Sequence, residues 1–301
     1  MNAPPPRPAL RRWAAGLVAA ALLALALPVA AQALLLRDDR GVEHRFAAPP
    51  QRIVSLMPSL TECVFALGGG ARIVGVDRYA NWPPEVKRLP QLGGLDDALI
   101  EAIAALKPDV VLASTAARSL DRLEALGFTV LRLKSDSHAD VQRTLGLLGR
   151  LLGTPQAGPQ VWAGIEAELA AAAAKVPAAL RGQRVYFEIG GGPYAAGQAS
   201  FIGQTLTALG LAHIVPADLG PFPKLNPEFV LRAQPDIVMA LTRDLSGMAA
   251  RPGWAALRAL QARRQCGFDA ETYEMLTRPG PRLGQGAQVL ADCLHGLGMP
   301  R

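Results

Sequence analysis

The sequence predicts an α/β protein of two lobes joined by a single long backbone helix, and three observations carry that expectation. A stretch is written twice: Glu101 to Ala113 matches Glu228 to Ala240 in pattern, 127 residues later. In each copy a glutamate opens a short amphipathic helix, a Pro-Asp pair stops it, and an apolar run makes a buried parallel strand. The flanks repeat as well, Arg52-Ile53-Val54-Ser55 being answered by Arg184-Val185-Tyr186-Phe187. Between the copies, Gln156 to Lys175 carries Val161, Ile165 and Leu169 at a spacing of four, with alanines behind them. That pattern predicts a stiff helix of about 20 residues and about 30 Å.

The elements follow in order. Arg7, Arg11 and Arg12 precede the apolar run Ala14 to Leu27, Pro28 breaks it, and Ala31-Gln32-Ala33 offers small residues for cleavage. This is the pattern of a secretory signal peptide, and the run is shorter than the ~20 residues of a membrane span. No cysteine stands at the cleavage point, so a soluble periplasmic protein is expected. The organisation read from the chain is a signal peptide over 1–33, an N-terminal lobe over 34–150, the connecting helix region over 151–182 and a C-terminal lobe over 183–301. A hairpin is expected from Leu34 to Phe46, then strands at Arg52 to Leu56 and Ile73 to Val76 around a helix from Leu60 to Leu67. A helix from Val141 to Leu152 precedes the connecting helix. In the second lobe Ile214-Val215 answers the strand residues Ile73-Val74.

Composition narrows the function. Half of the 301 residues are apolar and 5% are aromatic, and the formal charge of +6 falls to +3 once the three leader arginines are removed. A mixed surface of that kind gives no nucleic-acid footprint. The chain has no Gly-x-Ser-x-Gly elbow, no phosphate loop and no His-Glu-x-x-His. His44, His138, His213 and His295 are scattered without ligand spacing, so no metal site is expected. Cys63 reads as a buried thiol, whereas Cys266 and Cys293 can pair in an oxidising compartment or stay apart.

The motifs that carry a family resemblance are Pro50-x-Arg52-Ile-Val-Ser-Leu-x-Pro58-Ser-x-Thr61-Glu62, Gly75-Val76-Asp77-Arg78-Tyr79 with Pro83-Pro84, and Glu101 to Ala113. With the leader and hairpin they resemble the helical-backbone (class III) periplasmic binding proteins, which serve ABC importers of cobalamin and ferric complexes. The likeness spans the mature chain and is nearest to the cobalamin-binding members. It implies two Rossmann-like lobes with a ligand cleft between them, no catalysis and no cofactor of the protein's own, the cargo being cobalamin or another metal complex. Tyr79, Tyr194 and Phe222 stand where aromatic residues flank the ligand. Leu95 and Glu188 depart from the aromatic residues of the cobalamin receptors. Glu274 and Arg278 match an acidic and a basic pocket residue. The resemblance also gives Glu101 and Glu228 the role of docking a monomeric binding protein on arginines of a permease dimer with its ATPase. A haem or ferric-siderophore receptor is the alternative within the family. A secreted bilobed enzyme using Glu188 or Glu274 is the alternative outside it.

Overall fold

The computed structural model describes Ala3, residues 33–192 and residues 194–299. The signal peptide expected over 1–33 falls, apart from Ala3 and Ala33, outside the described residues. Leu34–Arg37 (β1) and Glu43–Phe46 (β2) pair antiparallel, with Leu34 opposite Phe46. Asp38 closes their turn, its buried carboxylate accepting the N–H groups of Arg40 and Val42 at 2.9 and 3.0 Å.

Ile53–Ser55 (β3), Ile73–Val76 (β4), Val110–Ser114 (β5) and Val130–Leu133 (β6) form a parallel sheet in the order β4-β3-β5-β6. All of β3 and β6 is buried, as expected of parallel strands covered on both faces. The covering helices include Pro58–Ala66 (α1), Ile100–Ala105 (α2) and Asp121–Ala125 (α3). Next come His138–Leu152 (α4), opened by a Ser137–Asp140 capping box and closed by left-handed Gly153, and Ala157–Lys175 (α5).

The second sheet uses Arg184–Ile189 (β7), Tyr194–Ala195 (β8), Ala212–His213 (β9), Ile237–Leu241 (β10) and Gln265–Phe268 (β11). The order β11-β10-β7 is parallel; β9 runs parallel to the start of β7 and β8 antiparallel to its end. Here the expected strand residues Ile214-Val215 are displaced: the strand is the preceding pair, and both side chains pack under the sheet instead. Pro216, which cannot donate to a ladder, stops any continuation. The helices of this half are Phe201–Ala208 (α6), Pro227–Ala233 (α7), Thr242–Met248 (α8), Arg258–Gln261 (α9), Ala270–Leu276 (α10) and Leu283–Gly298 (α11).

The sequence repeat is matched bond for bond. Asp109 accepts the Arg52 N–H at 2.8 Å and returns its own N–H to Arg52 O at 2.8 Å; Asp236 does the same with Arg184 at 2.8 and 2.8 Å. The residue before each Pro-Asp is left-handed, Lys107 at φ 47° and Gln234 at φ 46°, which turns the chain out of the helix and into the strand. Each arginine then caps the helix it faces, Arg52 at Leu106 O (2.7 Å) and Arg184 at Gln234 O (3.0 Å).

The connecting helix has a companion. α5 buries Trp162, Ile165, Leu169 and Ala172, and α11 runs against it through Lys175–Asp292 (3.1 Å) and Gln288 to Glu168 O (2.7 Å). Gly284 permits the approach, since a Cβ there would stand 2.2 Å from Glu168 Oε2. One apolar core therefore runs from the first sheet through α5 and α11 to the second. Cys266 and Cys293 do form a disulfide, joining β11 to α11 across a separation of 27 residues. Cys63 is free and buried, and burial pushes its thiol pKa up. Closing a loop of that length predicts that replacing both paired cysteines by serine lowers the unfolding free energy by about 3–4 kcal/mol. Urea unfolding measures it, and an unchanged midpoint contradicts it.

Candidate functional site

The loops that leave the carboxyl ends of the two sheets hold the exposed rings. After β4, Asp77 is buried and its Oδ1 accepts the Tyr79 N–H at 2.6 Å, an Asx turn whose next side chain, Tyr79, stands 64% exposed. Trp82 follows at 40%, before the cis Pro83. Leu95 is exposed beside this loop, where Gly94 comes close to the Tyr79 ring. In the second half, Tyr194 sits at the start of β8, opposite Ile189 and bridged to Lys224, and is 48% exposed. Tyr79, Trp82, Leu95 and Tyr194 are thus large apolar side chains left open beside the carboxyl ends of the two sheets.

Burial pushes the Asp77 carboxyl up to about 6, although hydrogen bonds from Tyr79 and Ala80 act against it. Because the folded value exceeds the unfolded one, this group's contribution to stability is greatest below about pH 4. Roughly 3 kcal/mol is lost as pH rises through 6. Asp77→Asn, which keeps an oxygen for the turn, is expected to remove that fall. Unfolding curves of both proteins from pH 4 to 7 test it, and parallel pH profiles contradict it.

A polar network ties this wall to the second half. Glu62 on α1 is buried and accepts Arg278 Nη1 at 3.0 Å, Arg282 Nη2 at 2.8 Å and Arg282 Nε at 2.8 Å. Arg278 also donates to Asn81 Oδ1 (2.6 Å), Tyr79 O (3.0 Å) and Glu274 Oε2 (2.9 Å). Asn81 completes the ring by donating to Glu274 at 2.7 Å, and the Arg282 guanidinium lies 4.9 Å above the Trp82 ring. Asn81, Trp82, Lys87, Glu274, Arg278 and Arg282 line a hollow of about 260 Å³. A second seam joins Asp136 O to the Phe201 N–H (2.6 Å) and His138 to Phe201 O (3.0 Å).

Several expected site residues stand elsewhere than the resemblance implies. Glu188 is fully buried: it pairs with Arg251 at 2.8 Å and accepts the Tyr186 hydroxyl at 2.9 Å. It shares one face of β7 with Tyr186, two residues back, and that face is covered. Its carboxylate is therefore closed to a ligand. Arg278 spends its donors inside the protein and is a tie between the halves, not a free anion hook. Phe222 is half-buried, its ring 5.8 Å from that of Phe201 and packed on the main core. Glu274 stays half-exposed, and among the described residues no hydrogen bond reaches its Oε1. Glu101 and Glu228 open α2 and α7, largely exposed, beside Arg122 (3.4 Å) and Arg232 (3.8 Å) respectively.

Sequence reasoning assigned no role to Glu62, Asn81, Trp82 or Tyr273. Tyr273 donates its hydroxyl to Glu188 O (2.9 Å) and accepts the Gly190 N–H (3.0 Å), fixing the loop that leads to Tyr194. A readable signal existed for Glu62, the one charged residue of a helix that carries Leu60, Val64 and Phe65 around it. The Arg282–Trp82 stack joins positions 200 residues apart and had no local signal. Among the described residues no group of three or more His, Cys, Asp and Glu side chains gathers as a metal site.

Known proteins resemble this chain in sequence and in fold. The lipoprotein YvrC of Bacillus subtilis, an uncharacterised ABC transporter substrate-binding protein, is 28% identical over 258 residues, 82% of this chain and 80% of that protein. The vitamin B12-binding protein of Salmonella typhimurium is 30% identical over 260 residues, 83% of this chain and 91% of that protein. The solved structure of the periplasmic haem-binding protein RhuT from Roseiflexus sp. RS-1 matches with a TM-score of 0.70 and 31% identity, over 83% of this chain and 99% of that one. The family model described as periplasmic binding protein matches residues 53–272. That span runs from β3 to α10 and so takes in both sheets, the ring-bearing loops and α5 between them: the chain belongs to the periplasmic binding protein family.

Proposed function

We propose that this protein is the substrate-binding component of an ABC importer, secreted to the periplasm as a soluble monomer, and that its cargo is a corrinoid such as cobalamin. The observation that carries the reading is the set of open rings, Tyr79 and Trp82 after β4 and Tyr194 after β7. Rings on loops of both halves suit a flat macrocycle, which gains contact area from them at low entropy cost. The relatives named for vitamin B12 and haem support the same class of cargo.

Charge favours the corrinoid over haem or a ferric siderophore. A corrinoid periphery offers amide donors, which Glu274 Oε1 can accept, whereas haem carboxylates need free cations. Arg278 and Arg282 are already bound to Glu62, which leaves Lys87 set against two acids, Glu271 and Glu274, in the hollow's lining. Haem is the second reading, favoured by the Tyr79 phenol, an oxygen ligand that ferric iron accepts. Glu101 and Glu228, one on each half at equivalent places in the repeat, would orient docking on the permease dimer and its ATPase.

Titration of the mature protein with cyanocobalamin, cobinamide, haem and a ferric hydroxamate, followed by tryptophan fluorescence, separates these. Saturable quenching by both corrinoids is expected. Silence toward both with quenching by haem replaces the cargo, and silence toward all four overturns the binding reading.

A further inference from the structure

The second half carries an open groove of about 700 Å³ that shares no lining residue with the hollow beside Trp82. Leu225, Leu231, Pro252 and Trp254 form its apolar walls, and Glu228 and Arg251 stand in its lining. Arg251 is already neutralised: it grips Glu188 and lies 4.9 Å from the centre of the Trp254 ring. Glu228, whose side chain is 74% exposed, is the one open acid of the lining. Left-handed Gly192 packs its backbone on the Glu188–Arg251 pair at the groove wall, where a Cβ would come 3.2 Å from Glu188 Oε2 and 3.4 Å from Arg251 Nη1.

The first half differs at the repeated position. Asn226 precedes Glu228 by two residues, and its counterpart 127 residues earlier is Leu99, which precedes Glu101 and is 51% exposed. The two halves thus repeat the carboxylate but not its surroundings. One has a projecting leucine beside it and the other an apolar groove.

We propose that the groove beside Glu228 receives an apolar side chain that neighbours a basic residue on the permease of the importer. This rests on the importer reading. The carboxylate attracts the basic residue and sets the approach. An exposed ion pair holds little by itself, and the groove supplies the desolvated anchor that it lacks. Docking is then uneven, with the second half contributing most of the affinity and the first half adding Glu101 and the Leu99 contact.

The test measures binding of the full mature protein to the corrinoid-importer permease–ATPase complex of its own organism, held in nanodiscs. Leu231→Arg and Pro252→Arg each place a charge in the groove and are expected to weaken docking tenfold or more. Cyanocobalamin affinity and circular dichroism should stay unchanged, and Leu231→Met should dock as wild type. Pro252 is exposed, so its variant keeps the test valid if Leu231→Arg misfolds. Glu228→Arg should cost more affinity than Glu101→Arg. If both groove variants dock as wild type while Glu228→Arg fails, the groove has no anchoring role and the importer reading stands. If wild type itself does not dock, the importer reading falls and takes the groove with it.

Discussion

Glu62→Ala is expected to lower the unfolding free energy by roughly 3–5 kcal/mol, the range seen when one partner of a buried ion pair is removed. The cause is geometric. Glu62 sits in the first half with its carboxylate sealed from water, and Arg278 and Arg282 of the second half both spend donors on it. Removing it takes from nearly buried Arg282 the carboxylate it pairs with and leaves Arg278 with Glu274 alone. Glu62→Gln keeps the volume and an acceptor, and should lose less. The damage also reaches the site, because Arg278 holds Tyr79 O and Arg282 lies over Trp82. Urea unfolding at pH 7 measures the loss, and a change below about 1 kcal/mol contradicts the account of this network.

The second large effect concerns ligand affinity. Tyr79→Ala, Trp82→Ala and Tyr194→Ala should each weaken cyanocobalamin binding roughly tenfold to hundredfold, the equivalent of about 1.5–3 kcal/mol for burying one ring against a ligand. None of these rings belongs to the packed core, so stability should scarcely move. Phe222→Ala should behave in the opposite way, costing stability first because its ring rests on Phe201. Isothermal titration beside thermal unfolding separates the two effects. Equal losses of affinity at Phe222 and at Tyr79 contradict the placement of these rings.

Much of this fold was readable because its causes are local. The Pro-Asp repeat and the strand runs depend on near neighbours, and the hairpin depends on Asp38, whereas the Arg52 and Arg184 caps reach across 54 and 50 residues. Tyr79 could be placed on a loop from the ending of β4 alone, whereas only the family resemblance pointed to Tyr194. What escaped depended on distant residues. Glu188 reads as a carboxylate near a strand end, but whether it faces a cleft or a covered sheet face depends on Arg251, 63 residues away. Arg278 reads as an anion site until Glu62, 216 residues earlier, is seen to occupy it. The pairing of α11 with α5 hinges on Gly284, whose small size in the sequence does not announce a partner helix.

The most direct test of the central claim is the structure of the mature protein with cyanocobalamin bound. The account predicts the corrin ring between the two halves, touching Tyr79 and Trp82 on one side and Tyr194 on the other, with a ligand amide donating to Glu274 Oε1. A corrin ring bound elsewhere, in the groove beside Glu228 or on the outer face of either sheet, contradicts it.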